Sequence, residues 1–448
     1  MNKMEKNNSN LTNRKFYIHT FGCQMNENDS EHIAGILASA GAELSYSAEE
    51  SDIIIINTCA VREKSVEKFY SLLGRLACFK KKKNIIIGVI GCVSQLYRSK
   101  ILDKNPHVDF IIGPDNYWKM PQIFSRLSSE KVISTQWNHK WHEIPCTQSL
   151  RKSHYSAYVT IMEGCNNFCT YCVVPFTRGR EKCRPIQNIL REMRYLSEKG
   201  YKEIYLLGQD VNSYVAPDSG ETFCDLLKKA DKIEEIGWIR FISSHPKYFT
   251  PEIAIVISEG NNICHQIHLP VQSGSSSILR KMNRGYTRDE YLEKIDVIHK
   301  LIPDVALSTD IIVGFPEETE EDFNETLSLL KTVRYTNIFS FRYSPRPLTA
   351  ASKIRDSVPL REKRGRLVEL QTFQRNLQLE INKSFIGKSM KVLCLGKSKK
   401  DPNIYSGRNE GNQVVNFKSK KDVRGKFIDV SITGYGPYSL QGKLNDIT

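Results

Sequence analysis

Residues 157–172 read Ala157-Tyr158-Val159-Thr160-Ile161-Met162-Glu163-Gly164-Cys165-Asn166-Asn167-Phe168-Cys169-Thr170-Tyr171-Cys172, an extended apolar run leading into three cysteines spaced C-x3-C-x2-C. Three thiolates hold three irons of a four-iron cluster and leave the fourth open to a ligand. An open iron implies chemistry, whereas four closed ligands imply a structural staple or simple electron transfer.

Working outward, Ala157–Ile161 is the first of six strand candidates. The others are Glu203–Leu207, Trp238–Ile242, Gln266–Val271, Val305–Val313 and Asn337–Tyr343. Helical patterns lie between them: Ile186, Ile189, Met193 and Leu196 share a face before Gly200, and Phe323, Leu327 and Leu330 share one after a Thr319-x-x-Asp322 cap. Six βα units predict a barrel two units short of eight, with its working groups at the carboxyl ends of the strands. The cysteine motif follows the first strand, where that rule asks for it.

Residues 14–125 also alternate strand and helix. Phe16–Thr20 leads to Gly22-Cys23, Ile53–Ile56 to Asn57-Thr58-Cys59, and Ile85–Ile90 to Gly91-Cys92, with helices expected at Ser30–Ala40 and Glu63–Leu76. Continuous apolar strands predict a parallel sheet covered on both faces, and ligands of such sheets gather beyond the carboxyl ends of the strands. Cys23, Cys59 and Cys92 share that position, which predicts a second three-thiolate site.

Polar residues from Ser128 to Ser153 read as a linker, and Lys80–Lys83 as a solvated turn between helix and strand, with RNA contact as its alternative. A charged helix, Arg361–Lys383, leads to short strands at Met390–Leu395, Val414–Phe417, Phe427–Thr433 and Tyr438–Leu440, with a turn at Gly411-Asn412. These predict a small β-barrel of the oligonucleotide-binding type.

The chain has 448 residues, 40% of them hydrophobic, which predicts two or three domains. The segment Met1–Asn13 is polar, and no apolar run reaches membrane-spanning length, so a soluble cytoplasmic protein without a membrane partner is expected. Twelve cysteines in such a chain point to reduced thiols or metal ligands rather than a disulfide framework. Cys78, Cys146, Cys183, Cys224, Cys264 and Cys394 stand apart from the two triads and read as free thiols. Net charge is +14, and residues 384–448 hold twelve Lys or Arg against five Asp or Glu. A module with that excess suits a polyanion partner; its alternative is a face kept charged for solubility.

The Cys165 motif resembles the signature of the radical S-adenosylmethionine (SAM) superfamily, and the cysteine-bearing N-terminal segment narrows the resemblance to the methylthiotransferases. Further matching stretches are Leu206–Tyr214, Ser243-Ser244-His245-Pro246, His268–Gly274, Thr309–Pro316 and Tyr343–Pro347. They look most like the enzymes that convert N6-dimethylallyladenosine beside a tRNA anticodon to its 2-methylthio derivative.

The resemblance implies an α/β chain with an N-terminal parallel α/β domain over 14–130, a partial (β/α)6 radical SAM barrel over 151–381, and a small antiparallel β-barrel, the TRAM RNA-binding domain, over 384–447. It implies two [4Fe–4S] clusters, one on Cys165, Cys169 and Cys172 that binds SAM and starts the radical step, and an auxiliary one on Cys23, Cys59 and Cys92 that presents sulfur. Two SAM molecules are implied per turnover, with Tyr171, Gln209, Asp210, Gln272, Ser273 and Gly314 as SAM contacts. Implied partners are a tRNA anticodon stem-loop and a flavodoxin- or ferredoxin-like electron donor, with the enzyme a monomer.

Two residues depart from the family pattern: Cys183 replaces a serine, and Leu348 replaces a glycine. Competing readings are a methylthiotransferase acting on threonylcarbamoyladenosine in tRNA, one acting on an aspartate of a ribosomal protein, and a non-catalytic RNA-binding protein with structural clusters. Ser344-Pro345-Arg346-Pro347 and the basic tail favour the dimethylallyl reading over the other two enzymes.

Overall fold

The computed structural model describes residues 11–127 and 130–445. Ten residues of the polar N-terminal segment, Ser128 and Ser129 of the expected linker, and residues 446–448 of the C-terminal module lie outside the described residues.

The N-terminal strands are β1 (Lys15–Phe21), β2 (Glu43–Leu44), β3 (Ile53–Thr58), β4 (Ile86–Ile90), β5 (Phe110–Ile112) and β6 (Val132–Ser134). They form one parallel sheet in the order β2-β1-β3-β4-β5-β6. Ile53 to Ile56 are buried and divide between two apolar clusters, one per face: Ile53 and Ile55 join Phe16, Ile33 and Phe110, while Ile54 and Ile56 join Phe69, Leu73 and Val93. This explains the unbroken apolar run, because a strand covered on both faces has no polar side. Helices α1 (Gln24–Ser39), α2 (Glu63–Lys80) and α3 (Cys92–Tyr97) follow β1, β3 and β4.

The expected linker is instead a strap. Val132–Ser134 is the edge strand of the sheet. Glu143 accepts from Arg184 Nε at 3.0 Å, and Arg151 pairs with Glu192 at 2.6 Å and with Glu31 at 3.5 Å. A three-residue strand is too short to show alternation, and ion pairs between residues 41 to 120 positions apart leave no local pattern. Lys80–Lys83 is likewise more than a solvated turn: Lys80 pairs with Asp109, and Lys83 Nζ donates to Ser51 O at 2.9 Å.

The central strands are β7 (Ser156–Thr160), the short pair β8 (Met162–Glu163) and β9 (Lys182–Cys183), then β10 (Glu203–Leu207), β11 (Trp238–Phe241), β12 (Gln266–His268), β13 (Ala306–Val313) and β14 (Asn337–Arg342). β7, β10 and β11 form one parallel sheet and β12, β13 and β14 another; a parallel bridge from Ile239 to Ile263 joins them. The result is the six-stranded open barrel. Ile186, Ile189, Met193 and Leu196 are all buried on the helix Ile186–Glu198, and Thr319 and Asp322 form the expected capping box. The antiparallel pair β8–β9 pinches off the loop that carries Cys165, Cys169 and Cys172.

After the helix Leu360–Lys383 come β15 (Ser389–Lys397), β16 (Tyr405–Asn409), β17 (Val414–Lys418), β18 (Phe427–Tyr435) and β19 (Leu440–Leu444), closed in the order β15-β16-β17-β19-β18. β16 carries Gly407 and polar residues, so its strand pattern was hidden in the sequence. The expected all-antiparallel barrel is corrected at one pair: β17 and β19 run parallel. A closed ring of five strands cannot alternate direction at every step, so at least one pair must be parallel.

The turn between β16 and β17 abuts the amino-terminal ends of β12 and β13. His265 N donates to Glu410 Oε1 at 3.0 Å, and a Cβ on Gly411 would lie 3.0 Å from Ala306 Cβ. Arg240, fully buried and paired with Glu203 at 2.6 Å, donates to the carbonyls of Asn409, at 2.8 Å, and Glu410. The strand directions place the β15–β16 loop, the β17–β18 loop and the end of β19 on the rim away from that turn. Lys399, Lys400, Lys420, Lys421, Arg424 and Lys443 are exposed there.

Candidate metal centre

Phe21-Gly22 turns the chain out of β1 into Cys23, which N-caps α1; Cys59 follows β3 directly; Gly91-Cys92 turns from β4 into α3. Asn57 ties the three turns together. It accepts from Asn26 Nδ2 at 3.0 Å and donates to Asn26 O at 2.8 Å and Ser30 Oγ at 2.9 Å. Gly91 has φ +87°, and a Cβ there would stand 2.3 Å from Asn57 Oδ1. Only glycine fits that turn.

Cys23, Cys59 and Cys92 all lie within electrostatic reach of one another. A hydrogen bond from Cys59 pulls the Cys23 thiol down to about 6, while that same bond and burial push Cys59 up. Burial also raises Cys92.

In the second loop, Gly164 has φ +79°, and a Cβ there would meet Arg180 O at 2.1 Å. Cys165 and Cys169 are buried, and Cys172 is half-buried. Burial raises Cys165 to about 11 and Cys172 to about 12. Buried thiols of this kind hold their protons unless a metal replaces them.

Among the described residues, no three His, Cys, Asp or Glu side chains converge as a single metal ion requires. A four-iron cluster places each thiolate on a different iron, so its ligands stand farther apart than those of one ion. The donor set fits it: thiolates only, with nitrogen donors aimed at sulfur. Asn167 Nδ2 lies 3.3 Å from Cys165 Sγ, and Arg284 Nη1 lies 3.3 Å from Cys169 Sγ.

The expected SAM contacts fall around this loop in two groups. Tyr171 is half-buried, with its hydroxyl 3.4 Å from Arg284 Nη1, and Gln209 accepts from the Gly164 N–H. Gln272, four residues beyond β12 and bridged to Ile311, has φ +75°, and Gly314, directly after β13, has φ +68°. Lys363 lies against Gly314, its Cγ 2.4 Å from where a Cβ would sit. Asp210 and Ser273 are turned into the protein: Asp210 accepts from Asn167 Nδ2 at 2.8 Å and His245 N at 3.2 Å, and Ser273 Oγ accepts from Ser275 N at 3.2 Å. Ser243, at the end of β11, also has a positive φ of +69°. Left-handed conformations at the non-glycine residues Ser243 and Gln272, beyond two successive strands, are backbone strain of the kind that collects at functional sites.

The two cysteine loops meet. The helix Val174–Thr177, just beyond Cys172, packs on α3, which begins at Cys92, and Val173 enters the same apolar cluster as Cys92. Arg178 is buried between the two parts, bound to Asp29 and 3.7 Å from Glu163, and its charge acts on both Cys23 and Cys92. Asn28 Nδ2 donates to Thr160 Oγ1 at 2.8 Å, and Arg346 Nη2 to Val61 O at 3.0 Å. Sequence reasoning missed Arg178, Arg284 and Asn57. Arg284 sits in Met282-Asn283-Arg284-Gly285, where a basic residue beside glycine looks like surface.

A profile described as uncharacterized protein family UPF0004 matches residues 15–113, and one for the radical SAM superfamily matches residues 159–330. The tRNA-2-methylthio-N(6)-dimethylallyladenosine synthase of Clostridium tetani is 46% identical over 433 residues, covering 96% of each chain. The protein of the same name from Bacillus cereus is 42% identical over 439 residues, covering 97% of this chain and 86% of its own. Among solved structures, the radical SAM methyltransferase TsrM of Kitasatospora setae superposes with a TM-score of 0.56 at 12% identity, covering 76% of this chain and 75% of its own. That last likeness concerns the fold alone.

Proposed function

The chain belongs to the tRNA-2-methylthio-N(6)-dimethylallyladenosine synthase family of radical SAM enzymes, and we propose that it adds a methylthio group to carbon 2 of N6-dimethylallyladenosine beside the tRNA anticodon. Carbon 2 of adenine is neither acidic nor electrophilic enough for acid–base chemistry, and a cluster with SAM supplies the radical route it needs.

In this reading Cys165, Cys169 and Cys172 hold the SAM-binding [4Fe–4S] cluster, and Cys23, Cys59 and Cys92 hold a second cluster that carries sulfur. Tyr171, Gln209, Gln272 and Gly314 face SAM, while Asp210 and Ser273 brace the loops that present them. Arg178 and the helix after Cys172 keep the two thiolate sets in fixed relation. The basic rim of the C-terminal barrel takes RNA phosphates, which gives affinity without sequence information, and a base splayed from a single-stranded loop enters the barrel mouth. We propose a cytoplasmic monomer that draws electrons from a flavodoxin- or ferredoxin-like donor. Among the described residues no helix is long and apolar enough to cross a membrane.

The observation that carries this reading is the meeting of the two cysteine loops across Val173–Arg178. Radical generation and sulfur delivery need adjoining sites, which a structural or electron-relay role does not. The test is anaerobic incubation of fully loaded protein with SAM, reductant and an anticodon stem-loop bearing dimethylallyladenosine. Formation of 5′-deoxyadenosine together with the 2-methylthio nucleoside is expected. Conversion of a threonylcarbamoyladenosine stem-loop in preference would reassign the substrate, and loaded protein that forms no 5′-deoxyadenosine would end the enzymatic reading.

A further inference from the structure

Burying a guanidinium is costly unless an anion accompanies it. The other buried arginine side chains obey this: Arg151 pairs with Glu192, Arg178 with Asp29, Arg184 with Glu192, Arg240 with Glu203 and Arg366 with Glu318. Arg284 is the exception. It is 4% exposed, and among the described residues no carboxylate lies within ion-pair distance of it.

Its donors go elsewhere. Nη2 donates to Pro270 O at 2.7 Å, Nε to Tyr286 Oη at 3.0 Å, and Nη1 lies 3.3 Å from Cys169 Sγ and 3.4 Å from Tyr171 Oη. The Asp210 carboxylate feels the charge but is engaged by Asn167 and His245. The loop before Arg284 is stitched to the cysteine loop: Thr170 N donates to Met282 O at 3.0 Å, and Thr170 Oγ1 to Lys281 O at 2.8 Å. Asn283 Nδ2 adds a bond to Phe168 O at 3.2 Å. The guanidinium is therefore held against sulfur by a rigid frame.

We infer that Arg284 is a positioning residue that supplies the counter-charge of the cluster held by Cys165, Cys169 and Cys172, and that its charge and hydrogen bond to Cys169 Sγ raise the cluster's reduction potential. The inference rests on the site reading above. Its physical basis is that an electron added to the cluster makes it more negative, and a fixed cation at hydrogen-bond distance stabilises the reduced form more than the oxidised one. Removing the cation makes the cluster harder to reduce, and so harder for any low-potential electron donor to prime.

The experiment uses the full-length, anaerobically loaded protein as wild type, Arg284→Lys and Arg284→Gln. Each is poised at one fixed potential with dithionite and a mediator dye, and the electron paramagnetic resonance component that changes on adding SAM is quantified. Arg284→Gln should lower the ratio of reduced to oxidised cluster by at least about tenfold, since a hydrogen bond to a charged group carries that much; tenfold corresponds to 59 mV for a one-electron couple. Arg284→Lys keeps the charge without the fork and should stay within about threefold of wild type.

Equal ratios for Arg284→Gln and wild type overturn the inference, as does an Arg284→Lys that falls as far as Arg284→Gln. If Arg284→Gln binds no cluster at this site, an Arg284→Lys loaded to wild-type iron content supports the counter-charge role, and an empty one overturns it. A SAM-responsive signal that persists in Cys165→Ala would instead sink the site reading and the inference with it, an outcome the arginine variants cannot produce.

Discussion

Acid should loosen the seat of α1 on the barrel through His32. Its Nε2 accepts from Asn28 Nδ2 at 3.1 Å and its Nδ1 bonds Ser149 Oγ at 2.8 Å, an arrangement suited to the neutral ring. Burial lowers its pKa from 6.5 to about 4; Arg151 and Arg184 add to the effect and Glu192 opposes it. The unfolded chain therefore binds a proton between those two values that the folded chain refuses. A depressed pKa contributes stability that is fully present above 6.5 and is lost as pH falls toward 4.

Between pH 7 and pH 5 the loss works out at about 2 kcal/mol, a little over half of the roughly 3.4 kcal/mol that the full shift carries at about 1.36 kcal/mol per unit. The assay is urea unfolding of wild type and His32→Gln at both pH values, taking the difference of differences so that other titrating groups cancel. His32→Gln should lose about 2 kcal/mol less than wild type on acidification. An equal loss in both proteins would refute the reasoning, because the acid sensitivity would then lie elsewhere.

Arg240→Met strands Glu203 as a buried anion and frees the carbonyls of Asn409 and Glu410, so it should cost about 3–5 kcal/mol in urea unfolding. Adding Glu203→Gln should recover part of that loss. Leu348 is exposed with φ +71°, where an L side chain costs about 1–2 kcal/mol and glycine does not; Leu348→Gly should therefore raise the thermal midpoint, and a lowered midpoint would show that the turn is not strained. Alanine at Lys420, Lys421 and Arg424 together should weaken binding to an anticodon stem-loop and reduce the slope of log affinity against log salt by about 0.7 to 0.9 for each phosphate that is no longer neutralised.

Whatever depends on near neighbours along the chain was legible in the residues themselves. Ile53–Ile56 is apolar at every position because both faces of β3 are covered, so a parallel sheet and the position of Cys59 at its carboxyl end could be read together. The spacing of Cys165, Cys169 and Cys172 puts three thiols on one loop, and the Thr319 and Asp322 cap appears as it reads.

What joins distant residues was set by folding. Val132–Ser134 becomes a strand only because β5 offers it an edge. A five-stranded ring forces β17 and β19 parallel, a constraint of closure that no segment carries alone. Asp210 reads as a SAM contact from its motif, and only folding shows that its carboxylate also accepts from Asn167 and from the backbone of His245. Arg178 and Arg284 read as ordinary basic residues, and only folding buries them, one between the two cysteine loops and one against Cys169. Hydrophobic periodicity reports which face of an element is covered. Arg178 and Arg284 find their partners at Asp29 and Cys169, 149 and 115 positions away, and no local pattern records that.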